Sequence, residues 1–177
     1  MSENSTAFVE TVAPEVVVEM LNQYLDAQTA IVERHGGDVD KFIGDEVVAV
    51  FQGPGMERNA VACGLEIQAA LADLLEAHPE WNLHVGLGIA AGEVVMGAIG
   101  ARDRLDFTVL GAVVNLASRL CAAAPPDGIL VSAPVRDALA AQSFVRFTPL
   151  PPIALKGYAA PVTAFAARGW DAADEVA

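Results

Sequence analysis

Basic side chains are scarce in this chain: two lysines and eight arginines stand against 23 acidic residues, giving a formal charge of −13 over 177 residues. Such a surface lacks the basic face that releases counterions from a nucleic-acid backbone or an anionic membrane, so both kinds of partner are disfavoured. A nucleotide that carries its own metal ion stays compatible with the charge. Cysteine is nearly missing as well. Cys63 and Cys121 are far apart and show no Cys-x-x-Cys or Cys/His ligand spacing, which argues against a disulfide scaffold or a zinc site and fits a reducing, cytoplasmic compartment. The three histidines, His35, His78 and His84, have no mutual ligand spacing and read as packing or surface residues. Long apolar runs are absent despite a mean hydropathy of +0.41. The richest window, residues 83–100, is interrupted by His84, Glu93 and five glycines, short of the roughly 18 apolar residues that a spanning helix needs. The N-terminal MSENSTAFVE has neither the basic nor the apolar region of a signal peptide. There is also no G-x-x-x-x-G-K-[ST] loop, no G-x-S-x-G elbow and no H-E-x-x-H helix. What is present is one domain's worth of chain with 54% apolar residues, enough for a core with some left for a subunit interface.

After Pro14, a residue suited to a first helical turn, Val17, Met20, Leu21, Tyr24, Ile31 and Val32 recur at mostly three- and four-residue spacing until Gly36-Gly37, which predicts a long amphipathic helix. The segment DVDKFIGDEVVAVF reads as a hairpin with Asp45 at or beside its tip, because two β-favouring runs flank Gly44-Asp45. A second helix is expected over about 57–76, with Val61, Leu65, Gln68/Ala69 and Ala72 on its apolar stripe. Two strands are expected between Asn82 and Gly100 around Ala91-Gly92, and ARDR turns the chain into LDFTVL. A third helix, from Gly111 to about Ala123, is stopped by Pro125-Pro126-Asp127-Gly128. A strand GILVS, a helix over 133–140, a strand near 143–148 and a closing pair around Lys156-Gly157 complete the pattern, with Trp170 as the last anchor before the acidic DAADEVA. Strands joined by tight turns and interleaved with helices point to an α+β sandwich with antiparallel pairs rather than a parallel Rossmann sheet.

Three features could carry chemistry. Asn115 and Arg119 are one helical turn apart and project from one face, where an amide and a fixed cation suit a sugar and a phosphate; a solvated polar face is the plainer alternative. Lys41 and Lys156 are the two lysines in a chain that otherwise uses arginine, so each could be kept as a compact point charge for a base acceptor or a phosphate, or reflect composition alone. Asp45 is either a turn former or a carboxylate presented to a hard cation such as Mg²⁺ or Mn²⁺.

In order along the chain, KFIGDEVVAVF, GEVVMGAIG, RLDFTVLGAVVNLASRL and ALKGYAAPV resemble the catalytic domain of class III adenylate and guanylate cyclases, with the bacterial adenylate cyclases nearest. The resemblance extends from about Thr6 to Phe165. It implies a ferredoxin-like βαββαβ sandwich over residues 1–170 with an acidic tail at 171–177, working as a head-to-tail homodimer with its sites at the interface. It implies conversion of ATP to cyclic AMP and pyrophosphate with two divalent ions, Mg²⁺ or Mn²⁺, per site. By position, Asp45 would be a metal ligand, Lys41 and Thr108 would read adenine, Asn115 would orient the ribose, Arg119 would stabilise the α-phosphate and Lys156 would hold the terminal phosphates. Lysine can donate to adenine N1 and a threonine hydroxyl can accept from the exocyclic amine, whereas guanine-selective relatives carry Glu and Cys at these two places.

One part of the pattern departs. The family's first strand has the form F-x-D-I-x-G-F-T, whose aspartate is the second metal carboxylate; Ser5-Thr6-Ala7-Phe8 resembles only its end, and Met1 falls where the aspartate belongs. Glu3 is two positions off and is not assigned the role. The expectation is therefore a cyclase domain without its first strand and one metal ligand, with a catalytically impaired dimerisation or nucleotide-binding module as the alternative. Ala112 stands where many bacterial relatives carry an acidic or amide residue. A ferredoxin-like nucleic-acid binder is disfavoured by the charge and by the lack of an aromatic-basic strand.

Overall fold

The computed structural model describes residues 14–81, 83–101 and 104–170. The first-strand remnant around Ser5-Thr6-Ala7-Phe8, the middle of the ARDR turn and the acidic tail lie outside the described residues. The chain divides into two compact units between Val85 and Gly86.

In the first unit, α1 (Pro14–Arg34) leads into β1 (Gly37–Ile43) and β2 (Glu46–Phe51), followed by α2 (Met56–Ala77). α1 buries Val17, Met20, Tyr24, Gln28, Ile31 and Val32, the expected stripe with Gln28 added and Leu21 only half-buried. It ends because Gly36 takes a left-handed conformation, φ 74°, and its N–H closes on the Glu33 carbonyl at 2.9 Å. On α2 the buried residues are Val61, Cys63, Gly64, Ile67 and Leu71, so the expected stripe through Leu65, Ala69 and Ala72 is corrected. The helix is apolar on more than one side, and the packing partner selects which side is covered.

The junction of α1 and β1 is tied to α2 by charge. Arg34 Nη2 donates to Glu66 Oε1, and His35 Nε2 lies 2.6 Å from Glu66 Oε2. The His35 contact first, and then Arg34, hold the Glu66 carboxyl below the ordinary glutamate range. A depressed carboxyl pKa favours the folded state where the group is ionised, so this contribution is complete above the unfolded value and disappears as pH falls through the folded one. The Tm difference between wild type and Glu66→Gln is expected to be largest above about pH 5 and to shrink towards zero below about pH 4. Thermal unfolding at several pH values checks this. A difference that grows on acidification would show that the carboxylate is not what stabilises the junction.

In the second unit, β3 (Leu87–Ile89), β4 (Val95–Ala101), β5 (Arg104–Leu110), α3 (Ala112–Ala123), β6 (Ile129–Ser132), α4 (Ala133–Ala138), β7 (Val145–Pro149) and β8 (Ala164–Gly169) follow in order. A four-stranded sheet runs β3-β6-β8-β7, and β4 and β5 form a separate antiparallel hairpin. β3 and β6 are parallel, whereas β8 is antiparallel to both β6 and β7. The four residues of β6 are all buried, as a strand inside a sheet requires. The two strands expected between Asn82 and Gly100 exist, but β3 has three residues and joins β6, while β4 joins β5. The closing pair around Lys156-Gly157 is a single bridge, Ile153 to Val162, and the chain then continues into β8.

α3 lies directly on β3. A Cβ at Gly88 would fall 2.2 Å from the Ala117 carbonyl oxygen and 2.3 Å from the Cys121 amide nitrogen, so only glycine permits this approach. Below the helix, Leu120, Leu130, Leu155 and Ala164 form a buried cluster. At the end of the sheet Arg146 stacks 3.8 Å from the Trp170 ring centroid and the Trp170 backbone N–H donates to the Phe144 carbonyl at 3.1 Å, which makes Trp170 the anchor that its position suggested. Among the described residues, no helix is long and apolar enough to cross a membrane.

Candidate active site

The first unit carries Lys41 and Asp45 on one hairpin. Ile43 pairs with Glu46, leaving Gly44 and Asp45 as the two turn residues, and Gly44 supplies the positive φ of 65° that such a turn needs. Asp45 is therefore at the tip, as expected, and half-buried. Lys41 sits four residues earlier on β1, its side chain 38% exposed and its Nζ 3.0 Å from Asp40 Oδ2; the Asp40 side chain is only 6% exposed.

The second unit carries the other four candidates. Thr108 is buried on β5 opposite Gly97 of β4. Asn115 is exposed and Arg119 half-buried on α3, one turn apart on one face. Lys156 is exposed on a turn seated by its neighbour Leu155, which shares the buried cluster with Leu120, the residue after Arg119. Gly157, at φ 90°, brings the Tyr158 N–H back to the Leu155 carbonyl at 3.1 Å. The Tyr158 hydroxyl then donates to the Ala112 carbonyl at the start of α3, 3.3 Å away. One helix and the turn fastened to it thus carry an amide, a guanidinium and an ammonium, residue types suited to a phosphorylated sugar.

Two residues of this arrangement are absent from the sequence reading. Asp40 escaped because adjacent residues of a regular strand point apart, and nothing in VDKF announces an irregularity. Tyr158 stood in the ALKGY string, where only the lysine drew attention. Cys63 is no rival nucleophile, since burial foremost, and then the charge of Glu66, push its thiol up to about 12. The Asp45 carboxylate offers the hard oxygen that Mg²⁺ or Mn²⁺ prefers. Among the described residues, however, no group of three His, Cys, Asp or Glu side chains could hold an ion. Asp45 thus fits as one ligand and the described residues do not complete a site.

Residues 2–167 match the family model of the adenylate and guanylate cyclase catalytic domain. The chain belongs to that family. It is similar to Rv1318c, an uncharacterised protein of Mycobacterium tuberculosis, with 36% identity over 165 residues that cover 89% of this chain and 29% of that protein. It spans under a third of the curated relatives that it matches. Among solved structures, the adenylyl cyclase CyaB from P. aeruginosa aligns with a TM-score of 0.84 and 29% identity, covering 96% of this chain and 91% of that one. The guanylyl cyclase Cya2 aligns with a TM-score of 0.82 and 31% identity, covering 96% and 89%. The mixed α+β architecture is that of the class III cyclase domain.

Proposed function

We propose that residues 1–170 form an adenylate cyclase catalytic domain that converts ATP to cyclic AMP and pyrophosphate in cytoplasmic cyclic-nucleotide signalling, with 171–177 as an acidic tail. The observation that carries the reading is the joining of Asn115, Arg119 and Lys156 on one helix and the turn that Leu155 and Tyr158 fasten to it. In the reaction, the ribose 3′-oxygen forms a bond to the α-phosphorus and passes its proton to water, and the bond to the pyrophosphate oxygen breaks. Asn115 hydrogen-bonds the ribose and fixes the direction of attack. Arg119 donates to the α-phosphate oxygens, where negative charge accumulates, and Lys156 holds the departing phosphates. Lys41 donates to adenine N1 and the Thr108 hydroxyl accepts from the exocyclic amine. Asp45 would be one ligand of the divalent ions, two Mg²⁺ or Mn²⁺ in the family's full pattern, whose charge would offset that of nucleophile and leaving group when bound.

The reading includes a homodimer with sites at the interface. Val95, Phe107 and Leu110 of the β4–β5 hairpin are 70%, 66% and 52% exposed, apolar surface of the kind that a second copy covers. A second reading, a dimerising nucleotide-binding module with impaired catalysis, is favoured by the lack, among the described residues, of any group of three His, Cys, Asp or Glu side chains that could hold an ion. Cyclisation of ATP and GTP with Mn²⁺ separates the two, comparing this chain, a form preceded by an F-x-D-I strand, and that form with Lys41→Glu and Thr108→Cys. Cyclic AMP from at least the extended form, with the double variant turning towards GTP, is expected. A folded extended form that binds ATP without cyclising it establishes the second reading.

A further inference from the structure

The β1–β2 ladder pairs Val39 with Ala49 but Lys41 with Val48, leaving Asp40 as an extra residue. In an uninterrupted ladder Val39 and Lys41 would share a face, opposite Ala49 and Val47. The extra residue reverses this. Lys41 now lies on the face of Val48 and Val50, together with Asp38 before the bulge and Ile43 after it. The bulge also brings the Asp40 carboxylate to the Lys41 ammonium, at 3.0 Å, with the carboxylate side chain 6% exposed and the lysine 38% exposed. The buried partner is the fixed one, and the half-exposed partner has its reach restricted by it. A lysine side chain has many rotamers, so a charge-assisted bond to an anchored acceptor selects among them.

Resting on the assignment of Lys41 to the purine, we propose that Asp40 is a positioning residue for base selection: its bulge decides the face on which Lys41 stands, and its carboxylate holds the ammonium as a fixed donor. A fixed donor is complementary to adenine, whose N1 accepts. It opposes guanine, whose N1 carries a hydrogen. A mobile ammonium could turn from N1–H to the neighbouring carbonyl oxygen of guanine, so releasing it weakens discrimination more than it weakens binding.

The test measures Kd for non-cyclisable ATP and GTP analogues, and kcat and KM where turnover occurs, in wild type, Asp40→Asn and Asp40→Ala. In Asp40→Ala the preference for the adenine nucleotide is expected to fall about tenfold, the worth of one charge-assisted hydrogen bond, through KM and Kd with kcat little changed. Asp40→Asn keeps an acceptor without the charge and is expected to fall between; if the alanine variant does not fold, this variant alone decides. A merely structural Asp40 would weaken both nucleotides equally, and an unchanged ratio of the two overturns the proposal. A wild-type chain that prefers ATP while both folded variants keep that preference condemns Asp40 alone. A wild type with no purine preference overturns the assignment of Lys41 and the role of Asp40 with it.

Discussion

Arg119→Ala, in whichever form of the domain turns over, is expected to lower kcat for ATP by about 10²–10³-fold while KM changes by less than about threefold. The asymmetry follows from when the guanidinium is needed. In the ground state the charge of ATP lies mostly on the outer phosphates, the part assigned in the proposal to Lys156, whereas charge reaches the α-phosphate oxygens as the 3′-oxygen bonds to phosphorus. A donor aimed at those oxygens stabilises the transition state more than the substrate, and its loss appears in kcat. Arg119→Lys keeps the charge and loses the planar fork, so partial recovery is expected. Arg119 is half-buried and next to Leu120, which fills the core with 0% exposure. The alanine variant should therefore keep the helix and stay within about 1 kcal/mol of wild-type stability. Steady-state kinetics with a parallel denaturation curve read both quantities. A large rise in KM at constant kcat would place Arg119 in ground-state binding and remove it from the catalytic assignment.

Gly88→Ala is expected to be the most damaging single methyl group in the second unit. The new Cβ would lie 2.2 Å from the Ala117 oxygen, 2.3 Å from the Cys121 nitrogen and 2.9 Å from the Cys121 Cα. These are backbone atoms of α3, so no side chain can rotate out of the way. The helix must lift off β3, drawing Leu120 out of its cluster with Leu130, Leu155 and Ala164. Overpacking costs about 1–3 kcal/mol where side chains adjust; here a value at or beyond about 4 kcal/mol is expected, a large share of the stability of an ordinary domain. Gly97→Ala is the control, because a Cβ there meets nothing within 4 Å, and it should stay within about 1 kcal/mol. Urea denaturation of the two variants gives the comparison. Equal midpoints would mean that α3 does not sit on β3 as described.

The parts of the fold legible in the sequence are those in which one local signal suffices. Pro14 and Gly36-Gly37 bracket α1, and Gly44-Asp45 places the hairpin tip to the residue. The stripe on α2 was misread because Leu65 and Ile67 are equally apolar and only the partner surface distinguishes them. The parallel pairing of β3 with β6 could not be read locally, since the two strands are some forty residues apart and β3 is three residues long. The site shows the same division. Asn115 and Arg119 were visible as a helical pair, and Lys41 and Lys156 through the rarity of lysine. The bulge at Asp40 was not, because an extra residue in one strand is defined only against the partner strand, and Tyr158 acts through a carbonyl that any residue at position 112 would offer.

The bare contact at Gly88 has a mechanical meaning. Most helices rest on a sheet through a layer of side chains that can change rotamer and absorb small movements; at Gly88 helix and strand touch backbone to backbone, with nothing compressible between them. A shift of β3, or of β6 to which it is laddered, would reach α3, the helix that carries Asn115 and Arg119, with no side chain at that point to take it up.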